Sequence, residues 1–209
     1  MGSLATYRSQ VTRLLKDANY RFYAQADVDD YINRSRKQVA RQSGCLRTLT
    51  TGVALTAGTE SYNLQTVAGA NAVALIGVTL YWGASRIKLV PMPWTVFDRQ
   101  MRPWSNYQGQ PRAFCRFNGS TIYIGPNPDQ AYVTDWDTTY DTTDLPSDDS
   151  GTETMPLAMQ TPVAYYAARL AKYNEQSMGE SDRFLELYKH EMQMSMAGQL
   201  PFMADPYRG

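Results

Sequence analysis

Two chemically versatile side chains are nearly missing from this chain, which has two cysteines and one histidine in 209 residues. Cys45 and Cys115 lie far apart with no second cysteine near either. A Cys/His zinc site therefore lacks ligands, and two thiols rather than a disulfide are expected in a reducing compartment. With His190 as the one imidazole, a serine or cysteine triad has no evident base. Neither a metal nor a cofactor is expected. An excess of charge is missing too: 20 Lys/Arg cancel 20 Asp/Glu, so net charge does not indicate a nucleic-acid-binding domain. No apolar run approaches the roughly 18 residues that suggest a membrane span. The opening Met1-Gly2-Ser3-Leu4-Ala5-Thr6 lacks the basic and apolar regions of a signal peptide. A product of the cytosol is expected, acting there or in an assembly that forms there, without a membrane partner.

Phosphate-loop chemistry is equally absent, because Gly119-Ser120-Thr121 and Gly151-Thr152 lack the flanking pattern and the lysine. Asp135-Trp136-Asp137 with Asp141 and Asp144 has calcium-loop spacing in part, but no central glycine or terminal glutamate. Paired carboxylates for glycoside cleavage stay open, since their separation is a three-dimensional quantity.

What the chain does have is a globular composition, 43% hydrophobic and 19% charged, rich in rings with 15 tyrosines and four tryptophans. Such amphipathic rings suit protein contacts and wet sheet surfaces alike. The charge is segregated. Residues 1–47 hold nine Lys/Arg against four Asp/Glu, and residues 48–128 hold six against two. Residues 129–154 hold eight acidic groups and no basic one.

Leu4, Tyr7, Val11, Leu14, Leu15 and Ala18 recur at helical spacing. A second helix is predicted from a cap at Gln25 to Asp27 up to Gly44, burying Val28, Tyr31, Ile32, Ser35 and Val39. Asp27, Asp29 and Asp30 then sit near its positive N-terminus, and Arg34, Lys37 and Arg41 share its other side. That basic stripe is a solvated face or a contact for an acidic neighbour or DNA phosphate. Between Leu46 and Tyr140 short β-prone runs alternate with turns: Thr48 to Leu55, Ser61 to Leu64, Ala72 to Trp82 and Arg86 to Val90. Trp82-Gly83-Ala84-Ser85 and Asn118-Gly119-Ser120 read as hairpin turns. A short helix runs from Pro93 to Met101 until Pro103 stops it, and a last strand spans Ala131 to Tyr140. Residues 141–156 read as an exposed acidic loop. Thr161-Pro162 starts a helix as cap and first-turn proline. Gly179 separates it from a final helix carrying Phe184, Leu185, Tyr188, Met192 and Met196.

The predicted class is α+β. Helix pairs at 1–45 and 157–198 share one bundle, because neither pair buries its apolar stripe alone. An antiparallel β-rich lobe with the acidic loop is inserted at 46–156, and an extended tail occupies 199–209.

This order of parts resembles the head-to-tail adaptor proteins of short-tailed double-stranded DNA bacteriophages. The likeness rests on the opening helix pair, on Leu55-Thr56-Ala57-Gly58-Thr59-Glu60-Ser61-Tyr62-Asn63-Leu64 and on Ile76-Gly77-Val78-Thr79-Leu80. It continues through Pro93-Trp94-Thr95-Val96-Phe97-Asp98, Gly109-Gln110-Pro111-Arg112-Ala113-Phe114 and Ile122-Tyr123-Ile124-Gly125-Pro126-Asn127-Pro128-Asp129, and closes with a helical pair that includes Tyr165-Tyr166-Ala167-Ala168. The order of the pieces carries the likeness, which covers most of the chain.

The resemblance implies a non-enzymatic virion protein at the head-to-tail neck, made in the host cytoplasm. It implies a homo-oligomer, usually a dodecameric ring, docked on the portal protein and extending the channel through which DNA leaves. A tail tube or nozzle protein is then the partner below. For portal contact the candidates are Leu200, Pro201, Phe202, Pro206 and Tyr207, apolar groups on a segment without helix or strand to bury them; the alternative is a terminus disordered or packed on itself. The acidic run Asp135, Asp137, Asp141, Asp144, Asp148 and Asp149 is placed against a neighbour's basic helix, along the channel, or in solvent. Competing readings are another neck or tail component such as a tube or stopper subunit, a virion-associated peptidoglycan hydrolase, and a DNA-binding module using Arg8, Arg13, Arg34, Lys37 and Arg41.

Overall fold

The repeat Leu4, Tyr7, Val11 and Leu15 folds as helix α1 (Leu4–Leu15) with all four side chains buried. Ser3 caps it by accepting the Thr6 N–H, and Lys16 ends it in the left-handed conformation. The chain, a computed structural model, is described over residues 3–103 and 107–197. Helix α2 (Gln25–Ser43) buries Val28, Ile32, Ser35 and Val39, and Gly44 closes it at φ 61°. Its cap differs from the expectation. Ala24 precedes the helix without a side-chain bond, and Asp29 turns inward to an arginine of α1 instead of serving the helix end.

Helices α5 (Thr161–Asn174) and α6 (Met178–Ala197) complete one apolar core with α1 and α2. Ala164, Ala167, Ala168 and Ala171 form a fully buried stripe on α5 at spacings of three and four. Small side chains there let neighbouring helices approach closely. Two boundaries shift. Thr161 is the first helical residue rather than the cap, because a 3₁₀ turn (Leu157–Met159) leads straight into α5 and leaves Gln160 already helical. Gly179 lies inside α6, since Gln176 takes the left-handed turn between the two helices at φ 63°.

The central segment forms strands β1 (Arg47–Leu55), β2 (Ser61–Asn63), β3 (Ala72–Trp82), β4 (Ser85–Lys88) and β5 (Val90–Pro91), then β6 (Gln108–Gly109), β7 (Ala113–Arg116), β8 (Thr121–Gly125), β9 (Asn127–Pro128) and β10 (Tyr132–Tyr140). One antiparallel sheet runs β1-β10-β3-β4 and a second sheet runs β2-β8-β7-β5. The short pairs β5–β7 and β6–β9 are parallel. Both predicted hairpins are present: Trp82 pairs with Ser85 across Gly83 at φ 59°, and the Asn118 side chain accepts the N–H groups of Ser120 and Thr121. An unpredicted turn of helix, α3 (Leu64–Ala68), follows β2 because Asn63 caps it through the Thr66 N–H and Leu64 is buried.

Along β10 Thr134, Asp135, Trp136 and Thr138 are buried, and Trp136 belongs to the apolar cluster that includes Leu55, Val78, Leu80 and Ile122. The Trp136 indole N–H donates to Thr134 Oγ1 at 3.0 Å, so burial leaves no orphan donor there. Helix α4 (Trp94–Met101) lies directly on Gly125. A Cβ at Gly125 would come within 2.7 Å of both Phe97 and Met101, so only glycine fits.

The chain divides into two compact units, residues 1–45 with 142–209 and residues 46–141. The described residues therefore make an α+β protein with a four-helix bundle from both ends of the chain and a β-rich insert. Residues 142–156, grouped by sequence with the insert, run as a strap in the helical unit.

Candidate functional site

Position 36 of α2 continues the buried spacing of Val28 and Ile32, and an arginine there must bring its own counter-charge. The strap supplies it. Arg36 Nε and Nη2 donate to the two oxygens of Glu153 at 2.9 and 2.8 Å, while Nη1 donates to the Thr143 carbonyl at 2.7 Å. The Arg36 and Glu153 side chains are 0% and 1% exposed. Tyr7 adds its O–H to Glu153 at 2.7 Å. Burial opposes the Glu153 charge, but Arg36, the Met155 N–H and Tyr7 outweigh it and hold the carboxyl below its usual value. Burial, followed by that same bond to Glu153, pushes the Tyr7 phenol far up.

Arg8 repeats the design closer to the surface. Its fork meets Asp29 at 2.6 and 2.7 Å, and it also donates to Asp149 and to the Ser147 carbonyl. Asn33 reads the Leu145 backbone from both sides, donating to its carbonyl and accepting its N–H. Lys37 reaches Asp144 at 2.7 Å and Arg34 reaches Asp30 at 2.8 Å. Leu145 and Met155 are buried in the helical core. The loop at 141–156 is exposed over most of its length, as expected, but it is pinned to the helices as a strap by the buried Leu145 and Met155 and by the carboxylates of Asp144, Asp149 and Glu153.

The acidic run is split by this arrangement. Asp144 and Asp149 neutralise Lys37 and Arg8 of their own chain. In the β-rich unit Asp137 pairs with Arg47, and Asp135 accepts from the Tyr81 hydroxyl and the Gly52 N–H. Of the arginines and lysine proposed for DNA, Arg8, Arg34 and Lys37 are each held by a carboxylate, so phosphate there has to displace an existing partner. No group of three or more potential metal ligands gathers among the described residues. Cys115 is buried and burial raises its thiol, away from reactivity.

A second ionic cluster sits on the β-rich unit. Arg102 donates to Glu60 at 2.9 and 3.0 Å and to Asp98 at 2.9 Å, and its guanidinium lies 5.4 Å from the Trp94 ring centre and 5.3 Å from that of Tyr123. Phe117 extends this stack to the surface, 4.5 Å from Trp94. The helical unit also leaves large apolar groups in water, foremost Phe22, Leu157 and Met194. His190 is exposed on α6. The predicted portal contacts Leu200, Pro201, Phe202, Pro206 and Tyr207 lie outside the described residues, beyond the end of α6 at Ala197.

Sequence spacing missed Arg36 and Glu153, although a signal was present: Arg36 stands four residues after Ile32 on the stripe that was read as buried. Glu153 carried no such sign in a run of acids and hydroxyls. No curated protein matches the chain. A family model described as SU10 adaptor protein matches residues 3–205. Spanning nearly all of a chain whose described residues combine a helix bundle with a β-rich insert, that match shows that the protein belongs to the SU10 adaptor family and is a phage adaptor protein.

Proposed function

We propose that the protein works as a structural, non-catalytic part of the virion: a head-to-tail adaptor that assembles as a dodecameric ring on the portal. In that role it extends the DNA exit channel and offers the surface on which the tail attaches. The observation that carries the reading is the family match over residues 3–205. Supporting it, Arg8 and Lys37 of the helical unit are already bound by carboxylates of their own chain. Duplex DNA in transit then meets fewer groups able to hold its phosphates.

Portal contact falls to the tail, through Leu200, Pro201, Phe202, Pro206 and Tyr207. An apolar segment that orders on its partner loses entropy at that moment but covers a large surface. The partners are therefore the portal on one side and a tail tube or nozzle protein on the other, in a particle assembled in the host cytoplasm.

Mixing purified chain with portal and imaging the product by electron microscopy tests this. A ring seated on the portal is expected, and a chain lacking residues 199–209 should bind portal at least tenfold more weakly. Undiminished binding by the truncated chain removes the tail from the interface. Virions whose neck lacks this polypeptide remove the adaptor role itself.

A further inference from the structure

A strand at the edge of a sheet turns half of its backbone N–H and C=O groups away from its one neighbour. Strand β1 is such an edge, bonded to β10 alone in the order β1-β10-β3-β4. The Tyr140 N–H donates to the Leu46 carbonyl at 2.9 Å, so Leu46 and Tyr140 form a hydrogen-bonded pair. Such pairs alternate with unbonded ones along an antiparallel ladder. Thr48 and Thr50 therefore turn their backbone groups to Thr138 and Trp136, while Arg47 and Leu49 turn theirs outward. The Thr138 hydroxyl donates to the Thr48 carbonyl at 3.3 Å, which fits this phase. Leu49 is 54% exposed, and beyond Thr50 the strand is interrupted by a bulge. There Gly52 stands at φ 73° and gives its N–H to Asp135 at 3.2 Å. The open edge is the stretch from Arg47 to Thr50.

The remaining edges of the two four-stranded sheets are blunted in ways that β1 is not. Strand β4 also has two outward residues, because the Leu89 N–H bonds the Val78 carbonyl and sets the same alternation. Those residues are Arg86 and Lys88, and charge on an edge discourages a further strand. Strand β2 is three residues long, and β5 is two residues long and ends on Pro91, which has no N–H to give. Arg47-Thr48-Leu49-Thr50 holds no proline, its one charge is met by Asp137, and its threonines favour extended backbone. An edge of this kind is a template for one more strand.

A second copy of this chain is a poor occupant. Its β4 would bring Arg86 and Lys88 against Arg47, like charge against like. Its β1 would pair about a two-fold axis, which the one-way contacts of a ring do not repeat. So short a strand also falls short of the roughly 1,000 Å² that a stable interface buries by itself. We propose that β1 accepts an extended strand of the tail protein, which hydrogen-bonds the outward groups of Arg47 and Leu49 and covers the Leu49 side chain. Backbone bonds give such a contact its strength, and alternate side chains give it selectivity. The incoming strand needs an N–H at each bonding position, an apolar residue opposite Leu49 and no cation opposite Arg47. This inference rests on the adaptor reading above, which gives the portal to residues 199–209 and leaves the surface for the tail protein unassigned.

Amide hydrogen exchange of the wild-type chain tests it, comparing free chain with necks that hold portal and tail protein. The Leu49 amide is expected to exchange about tenfold more slowly in the neck. Leu49→Pro removes an outward N–H without touching a bond to β10, so the free chain should keep its unfolding midpoint. Portal-bound Leu49→Pro chain should recover about tenfold less tail protein, and Leu49→Thr, which keeps the N–H, should recover most of it. Equal loss in both variants overturns the backbone contact in favour of the side chain. If Leu49→Pro fails to fold, the wild-type exchange decides. The photo-cross-linker p-benzoylphenylalanine at position 49 should join the tail protein in assembled necks. Cross-links only to portal or to a second copy, or a Leu49 amide as fast in the neck as in the free chain, overturn the inference and leave the adaptor in place. Necks that lack this chain overturn the adaptor reading and this contact with it.

Discussion

The two units of this protein treat charge in opposite ways. In the helical unit the ion pairs that matter are inside: Arg36 and Glu153 are fully buried, and Arg8 and Asp29 nearly so. In the β-rich unit the ion pairs Arg47–Asp137 and Arg102–Glu60 lie at the surface, while the core is made by Trp136, Leu55, Leu80 and Ile122. The difference follows from construction. A sheet alternates its side chains, so one face can be wholly apolar and the other wet. The strap has no regular structure of its own, and its backbone and side chains need specific partners on the helices that it crosses. Charge specifies where the strap goes; area holds the sheet together.

The sharpest way to break this contrast is to remove one member of the buried pair. Glu153→Ala leaves the Arg36 guanidinium buried without its carboxylate and should cost about 3–5 kcal/mol, read as a lower unfolding midpoint in denaturant. Replacing both members together by Arg36→Met and Glu153→Leu should recover most of that loss, because an apolar pair avoids the unpaired charge. A double variant as unstable as the single one would show that the strap depends on shape and not on charge. In the β-rich unit the counterpart is Trp136→Ala, expected to cost about 3–5 kcal/mol by emptying the core. With two units, the transitions are best followed by separate probes for helix and for tryptophan fluorescence.

Acid should separate the units next. Glu153 has a lowered carboxyl in the folded chain, so its contribution is present above the unfolded value of about 4.3 and is lost as pH falls through the folded one. The helical signal should therefore weaken from about pH 4 downward, and Glu153→Gln should flatten that dependence while lowering stability throughout. Asp137 is lowered as well, by its bond to Arg47. That pair is largely exposed on the arginine side and contributes less to the slope.

Smaller effects complete the series. Gly125→Ala forces a methyl against Phe97 and Met101 and should cost about 1–3 kcal/mol through overpacking, with little change in the helical transition. Lys37→Ala and Arg47→Ala remove solvent-facing partners and should each stay within about 1 kcal/mol. A large loss from either would mean that surface pairs bear more of this fold than the contrast allows.

Much of this architecture was legible beforehand, for identifiable reasons. Leu4, Tyr7, Val11 and Leu15 keep one helical period, and Trp82-Gly83-Ala84-Ser85 contains the glycine that the turn needs. Such signals are local and survive without knowledge of the fold. The strap at 142–156 was not legible, because nothing in Asp144, Asp148, Asp149 or Glu153 distinguishes a carboxylate facing water from one facing Arg36. The same holds for Phe22, whose exposure depends on a carboxylate five residues earlier turning back onto the backbone. The residues named for portal contact, Leu200, Pro201, Phe202, Pro206 and Tyr207, lie beyond the described residues, and the portal assay above bears on them.

By itself, then, the order of amino acids determined where helix gives way to strand and returns to helix, since period and turn chemistry act over a few residues. Only the tertiary structure decided which charge meets which, which acids are sheltered and which ring is left in water. Those outcomes depend on how the folded chain brings groups together, across five positions for Asp17 and Phe22 and across 117 for Arg36 and Glu153, and Coulomb attraction and desolvation answer to distance in space, not along the chain.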